Sequence, residues 1–172
     1  MGSAIVVADT SVIINFLRID RMDLIKAYPD PFIVTDHVAT EIADSYPDQQ
    51  LRYQAALDHG HLSQQTVDDP AELETFLRLG AGGRLGAGER SAIAVALHRG
   101  HKLAIDDTRA IRRAVEEANV AGNPLTIIRT QDVIVRLIKS GAIDLHQADG
   151  IKEDWRQNHR FALKIRSFTD LL

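Results

Sequence analysis

Short runs of small and β-branched residues that stop at an acidic residue, each followed by a helical stripe, constrain this chain most. Ala4-Ile5-Val6-Val7-Ala8 ends at Asp9, and Val12, Ile13, Phe16 and Leu17 then recur at helical spacing. Lys102-Leu103-Ala104-Ile105 ends at Asp106-Asp107, and Ile111, Ala114, Val115 and Ala118 follow at the same spacing. Between them, Phe32-Ile33-Val34 reads as a strand before a helix carrying Val38, Ile42 and Ala43. Residues 49–57 read as a polar helix, 62–67 as an edge strand, and Pro70 as the first turn of a helix reaching Leu79. Five of the 11 glycines fall between Gly80 and Gly88 and mark a loop; Ala92, Ile93, Ala96 and Leu97 then form a stripe that Gly100 ends. A strand at 125–128 and a helix with Val133, Ile134, Leu137 and Ile138 complete the alternation. Strand and helix in strict alternation predict an α/β fold: three layers, α/β/α, around a mainly parallel central sheet.

At 172 residues the chain suits one domain with a core large enough to need no disulfide. It has no cysteine, which excludes a thiolate zinc site and a cysteine nucleophile and fits a reducing, cytoplasmic setting. No apolar run is long enough for a membrane span, and no basic region precedes the first apolar run as in a secretory signal. Twenty basic against 24 acidic residues give a net charge of −4, which argues against passive electrostatic binding of nucleic acid. It does not argue against chemistry in which cations neutralise a carboxylate pocket.

In parallel α/β sheets ligands sit at the carboxyl ends of the strands, so the residues there are the candidates for chemistry. Asp9 and Asp106-Asp107 end strands; Glu41 lies early in the helix after the second strand, and Glu89 in the first turn after the glycine loop. Four elements thus point carboxylates toward one end of one sheet. Ionised carboxylates that crowd together repel, so such a group binds hard cations or holds protons, and oxygen ligands suit Mg²⁺ or Mn²⁺. Each acid also has a structural role open to it. Asp9 can cap a helix with Thr10 and Ser11, Glu89 can complement a helix dipole, Glu41 can be solvated, and Asp106-Asp107 can form a turn and a cap. Because side chains alternate along a strand, at most one of Asp106 and Asp107 faces a shared metal while the strand persists.

The segments IVVADTSVIINFL, GAGERSAIAVAL and KLAIDDTRAIRRA, in this order, resemble the PIN-domain nucleases. Residues 132–143, including RLIKSGAI, further resemble a prokaryotic PIN subfamily of largely unassigned function. The resemblance implies a PIN-like nuclease domain over residues 1–143, with 144–172 as a C-terminal extension packed on it. It implies an Mg²⁺- or Mn²⁺-dependent endoribonuclease, often the toxin of a toxin–antitoxin pair, with RNA as substrate, an antitoxin as candidate protein partner and a dimer as the expected assembly. Asp9, Glu41, Glu89 and Asp107 correspond to the family's catalytic acids. Asp9, Glu89 and Asp107, with Asp106 as neighbour, correspond to its metal ligands, and Thr10 or Ser11 to the group that orients Asp9 or a metal-bound water.

Basic residues supply the candidates for holding RNA. Arg109, Arg112 and Arg113 follow the aspartate pair, and Lys152, Arg156 and Arg160 recur every four residues, as one positive stripe on a helix would. The apolar face of that helix would carry Ile151 and Trp155, while 161–165 alternates like an edge strand or an oligomer contact. Other chemistries find no support. The seven histidines lack zinc spacing, and Ser11 and Ser91 lack a nucleophile elbow. Glu89-Arg90 stands where a phosphate loop needs Lys-Ser/Thr. The order of acids is reversed from that of a phosphoacceptor receiver, and Asp9-Thr10-Ser11 is not the Asp-x-Asp of an aspartate phosphatase. The competing reading of another class is a catalytically weak PIN-like module that binds RNA or a protein.

Overall fold

The computed structural model describes residues 4–172. Five strands, β1 (Val6–Ala8), β2 (Phe32–Thr35), β3 (Ser63–Gln65), β4 (Lys102–Ala104) and β5 (Ile127–Ile128), form one sheet in the order β3-β2-β1-β4-β5. Every pairing is parallel. The chain builds β1, β2 and β3 outward in one direction, then returns to add β4 on the other side of β1. The order therefore reverses between β1 and β4, and a crevice opens at their carboxyl ends. Ala8 lies beside Ala104, and the Asp9 amide donates to the Ala104 carbonyl at 2.9 Å, so Asp9 leaves the sheet level with the start of 105–107.

The period of two along each strand divides the core. Val6, Ala8, Phe32, Val34, Ala104 and Ile128 face one apolar layer; Val7, Ile33, Leu103 and Ile105 face the other. Against the first pack α1 (Thr10–Arg18), α2 (Met22–Ala27), α3 (Asp36–Ser45), α4 (Gln50–Asp58), α8 (Thr130–Lys139) and α9 (Leu145–Asn158). The second lies under α5 (Pro70–Leu79), α6 (Ala87–Arg99) and α7 (Thr108–Ala121). Both faces are covered, as expected for a parallel sheet. Pro70 stands at the start of α5, where the Asp69 carboxylate accepts from the Ala71 and Glu72 amides. No helix among the described residues is long and apolar enough to cross a membrane.

Residues 144–172 contribute to the first layer. Trp155 of α9 is wholly buried, edge-on to Phe16 at 5.6 Å and to Phe161 at 5.2 Å, and its Nε1–H donates to the Asn15 carbonyl at 2.7 Å. Beyond the helix, the Asp149 carboxylate accepts from the Phe168 amide and the Ser167 hydroxyl and pins a buried Phe168.

Two expectations about this region are corrected. Residues 161–165 pair with no strand: Phe161, Leu163 and Ile165 alternate because they pack inward on a helical layer that offers no free sheet edge. Lys152, Arg156 and Arg160 do not form one stripe. Lys152 is 7% exposed beside Ile151, and both it and Arg156 bind Glu153. Arg160 lies past the helix end with φ 53°, outside the helical repeat.

Candidate functional site

The crevice at the switch point collects the strand-end acids. Asp9 follows β1 and precedes α1, yet its carboxylate makes no capping bond to that helix; Oδ2 accepts from the Ser11 hydroxyl at 2.7 Å. Thr10 turns the other way and donates to Glu41 Oε2 at 2.6 Å. Glu41, one turn into α3, also accepts the Gly88 amide on Oε1 at 2.8 Å, so one carboxylate joins α1, α3 and the first turn of α6. That turn carries Glu89, whose Oε2 accepts the Gly86 amide at 3.0 Å and leaves Oε1 without a hydrogen bond among the described residues. Ser91 fixes the turn against the sheet by donating to the Gly88 carbonyl and by a 2.7 Å hydroxyl pair with Thr35 at the end of β2.

The aspartate pair divides its work. Asp107 caps α7 through Oδ1, which accepts the Ala110 amide at 2.9 Å, and it remains exposed. Asp106 faces the start of α8: Oδ1 accepts the Thr130 amide at 2.8 Å and Oδ2 the Thr130 hydroxyl at 2.5 Å, with Asn15 Nδ2 at 3.5 Å. Thr130 and Asn15 were not evident from the sequence as site residues. Thr130 had a weaker form of the acids' signal, a polar residue two places after a strand run, whereas Asn15 is set in place only by the packing of α1.

Charge explains why these groups belong together. Asp9 is 2% exposed, and burial, opposed by the Ser11 hydroxyl and reinforced by Glu41, pushes its carboxyl up to about 6. Burial and the neighbouring Asp9 charge push Glu89 up to about 7, with Asp107 and Glu41 adding smaller repulsions. None of Asp9, Glu41, Glu89, Asp106 or Asp107 has an Arg, Lys or His ion-pair partner among the described residues. Elsewhere the buried acids are paired, Glu72 with Arg99 at 2.6 Å and Glu117 with Arg78 at 2.8 Å. Among the described residues Asp9 is thus the buried acid left without a cationic partner. No three acidic or imidazole groups among the described residues close on a single point as ready ligands of one bare ion.

Two adjoining depressions share Ser11, Tyr46 and Glu89. One adds Asp9, Thr10, Glu41 and Gly86; the other runs past Asp106 and Asp107 to Ile14, Asn15, Arg18 and Phe161. Of the basic candidates, Arg109, Arg112 and Arg113 line a separate cavity of about 170 Å³ with Arg84 of the glycine loop. Arg113 there binds Glu116 and Glu117, whereas Arg84, Arg109 and Arg112 have no acidic partner among the described residues.

Gly88 shows how tight the latch is. A methyl group at its Cα would lie 2.5 Å from Glu41 Oε2 and 2.7 Å from Thr10 Oγ1. The Glu41 carboxylate is the movable end of its side chain and would swing away. Gly88→Ala is therefore expected to displace Glu41 and lower any activity of the site by at least ~10-fold. Two lost hydrogen bonds at about 1 kcal/mol each outweigh a helix-propensity gain of about 1 kcal/mol and leave only a small net loss of stability. Thermal melts alongside rates would show the separation; a large loss of stability with unchanged rate would contradict it.

The comparisons agree with this architecture. A family model, DUF3368, described as a PIN domain, matches residues 5–161 and so includes α9. Among solved structures, a PilT N-terminus domain protein from the hyperthermophilic archaeon Sulfolobus solfataricus P2 superposes with a TM-score of 0.50 at 18% identity. The match covers 75% of this chain and 89% of that one and speaks to the fold alone. No curated protein sequence matches significantly. PIN domains are generally nucleases and typically depend on divalent metal. With residues 5–161 accounted for by the family model and the five-stranded parallel fold in place, the chain belongs to the PIN-domain family.

Proposed function

We propose that the chain is an Mg²⁺- or Mn²⁺-dependent endoribonuclease that hydrolyses phosphodiester bonds of single-stranded RNA. The observation that carries this reading is the set of carboxylates left without countercharge at the switch point, with Asp9 and Glu89 held well above the usual carboxylate range. A group of acids kept in this state is stabilised by a hard cation.

The donor set fits such an ion. It is all oxygen, and Mg²⁺ characteristically takes one or two carboxylates and keeps its remaining waters, so three converging ligands are not required. Of Asp9, Glu89 and Asp107, with Asp106 beside them, one or two would hold it directly and the others through its waters. When bound, it would supply Lewis acidity toward a phosphoryl oxygen and lower the pKa of a water. Ser11 orients Asp9 by donating to Oδ2, and Thr10 with the Gly88 amide holds Glu41 so that its charge stays beside the other acids. Asp9 Oδ1, Glu89 Oε1 and Asp107 Oδ2 accept no hydrogen bond among the described residues, and whichever of them a bound cation leaves free could accept a proton from an attacking water. Asp106 is engaged by Thr130 on both oxygens, which favours Asp107 as the more available aspartate. The cavity of Arg84, Arg109, Arg112 and Arg113 would take phosphates of the strand beyond the acids, and Arg156 would contribute less because Glu153 already binds it.

A role as the toxin of a toxin–antitoxin pair, action in the cytoplasm and assembly as a dimer extend the same reading. They are tested by co-expression with the neighbouring gene product and by solution mass. The nuclease itself is tested by cleavage of 5′-labelled single-stranded RNA with Mg²⁺, Mn²⁺ or EDTA. Cutting should require metal and leave a 5′-phosphate and a 3′-hydroxyl. A cyclic phosphate end would mean attack by the ribose 2′-hydroxyl and overturn the mechanism. RNA binding without cutting under any metal would support the binding-module reading instead.

A further inference from the structure

The cleft beside the acids has a polarity that the nuclease reading does not use. Its floor is one face of α1: Ser11, Ile14, Asn15 and Arg18, spaced i, i+3, i+4 and i+7, which at 1.5 Å per residue spans about 10 Å. At one end stand Glu89, Asp106 and Asp107; at the other stands Arg18. Two aromatic rings line the cleft with them, Tyr46 at the end of α3 and Phe161 after α9. The cleft encloses about 360 Å³.

We propose that this cleft is a nucleotide subsite of the nuclease, taking one unpaired base between Tyr46 and Phe161 with Arg18 reaching the next phosphate of the strand. The proposal rests on the nuclease reading and adds a substrate requirement to it. A single nucleotide unit presents, in order, a phosphate to be cut, a flat apolar base and another phosphate. The acids, the two aromatic rings and Arg18 that line the cleft supply a partner for each of the three. Arg18 is available for the last contact: its guanidinium lies 5.7 Å over the Tyr46 ring and donates only to the His159 carbonyl at 3.3 Å, with no carboxylate partner among the described residues. Phe161 is held by Trp155 behind it and Tyr46 by the α3 end, so both rings are in place before a strand arrives. Paired bases are stacked inside a duplex and cannot enter between two side chains, so the cleft selects single strands.

The test uses the full chain with Ca²⁺ in place of Mg²⁺ to slow cutting, and reads the affinity for a labelled single-stranded oligoribonucleotide by anisotropy. A second oligonucleotide carries one abasic nucleotide next to the preferred cut site, mapped beforehand with Mg²⁺. Tyr46→Ala should weaken binding of the intact strand by about 10-fold, the effect of one lost base–aromatic stack, and Tyr46→Phe should restore it. The abasic strand should bind wild type and Tyr46→Ala alike. Arg18→Gln should lower the salt dependence of binding by about one counterion.

Equal weakening of intact and abasic strands by Tyr46→Ala would make Tyr46 merely structural and overturn the proposal. So would unchanged binding of both by a folded Tyr46→Ala, with cutting intact, which would leave the nuclease reading standing. Wild type that neither binds nor cuts RNA would remove both. Loss of a co-expressed protein inhibitor on Tyr46→Ala, with RNA affinity unchanged, would assign the cleft to a protein partner and also overturn it.

Discussion

Asp9→Asn should abolish metal-dependent RNA cleavage and, in metal-free protein at pH 8, raise Tm rather than lower it. Loss of activity follows from removing the charge of the most buried acid in the crevice, and a drop of at least about 100-fold is expected for a group that both holds a cation and orders the site. The stability effect follows from linkage. In the folded chain the Asp9 carboxyl is raised from its ordinary value of 3.8 to about 6. Below pH 3.8 it is protonated in both states; as pH rises through about 6, the folded state must ionise a buried group that the unfolded chain ionises readily. The favourable contribution present at low pH is thus lost by pH 7, at a cost of about 2–3 kcal/mol. Asparagine keeps an oxygen to accept from Ser11 and carries no charge. Tm should rise by about 5 °C at pH 8 and be unchanged near pH 4.

Wild type provides the complementary result. Glu89 adds a loss in the same direction, between 4.5 and about 7. Mn²⁺ or Mg²⁺ should therefore raise the wild-type Tm more at pH 8 than at pH 5.5, and that shift should shrink in Asp9→Asn. A metal effect equal at the two pH values would show that the cation is held elsewhere.

Trp155→Ala should be the most damaging single substitution in the chain outside the acids. Its indole is wholly buried between Phe16 and Phe161 and closes a hydrogen bond to Asn15. Truncating so large a core side chain costs about 3–5 kcal/mol, which corresponds to a fall in Tm of about 10 °C or more in a domain of this size. Trp155→Phe would keep most of the apolar volume but leave the Asn15 carbonyl unpaired, for a smaller loss of about 1–3 kcal/mol. Ending the chain after residue 143 removes Trp155, Ile151 and Phe168 from one core layer and should leave no cooperative melt. Retention of a sharp transition would show that 144–172 is dispensable to the fold.

Asn15 connects this packing to the crevice. Its carbonyl receives the indole while its side chain donates to Thr130 at 3.1 Å beside Asp106. The C-terminal helix thus helps position one edge of the acidic site from the opposite end of the sequence. Nothing in the spacing of residues 144–172 announces this. The tail's apolar residues were visible, but an alternating FALKI segment reads as an edge strand or an oligomer contact when no neighbouring edge is known, and Lys152 and Arg156 read as part of one positive stripe until Glu153 and the core claim them.

The alternation of strand and helix, the parallel sheet, and the carboxylates at strand ends were determined by the sequence alone, because period-two and period-3.6 patterns and strand-terminal polar residues are local signals. Pro70, Gly100 and Asp107 likewise mark their helix ends by local chemistry. Only the tertiary structure decided how the acids divide their roles. Asp106 is consumed by Thr130 of another strand end, Glu41 is drawn in by Thr10 and the Gly88 amide, and Asp9 and Glu89 are raised by burial and by each other. Those roles depend on contacts between residues 24 to 91 positions apart, and a charge's cost depends on what surrounds it in space, not on its neighbours in the chain.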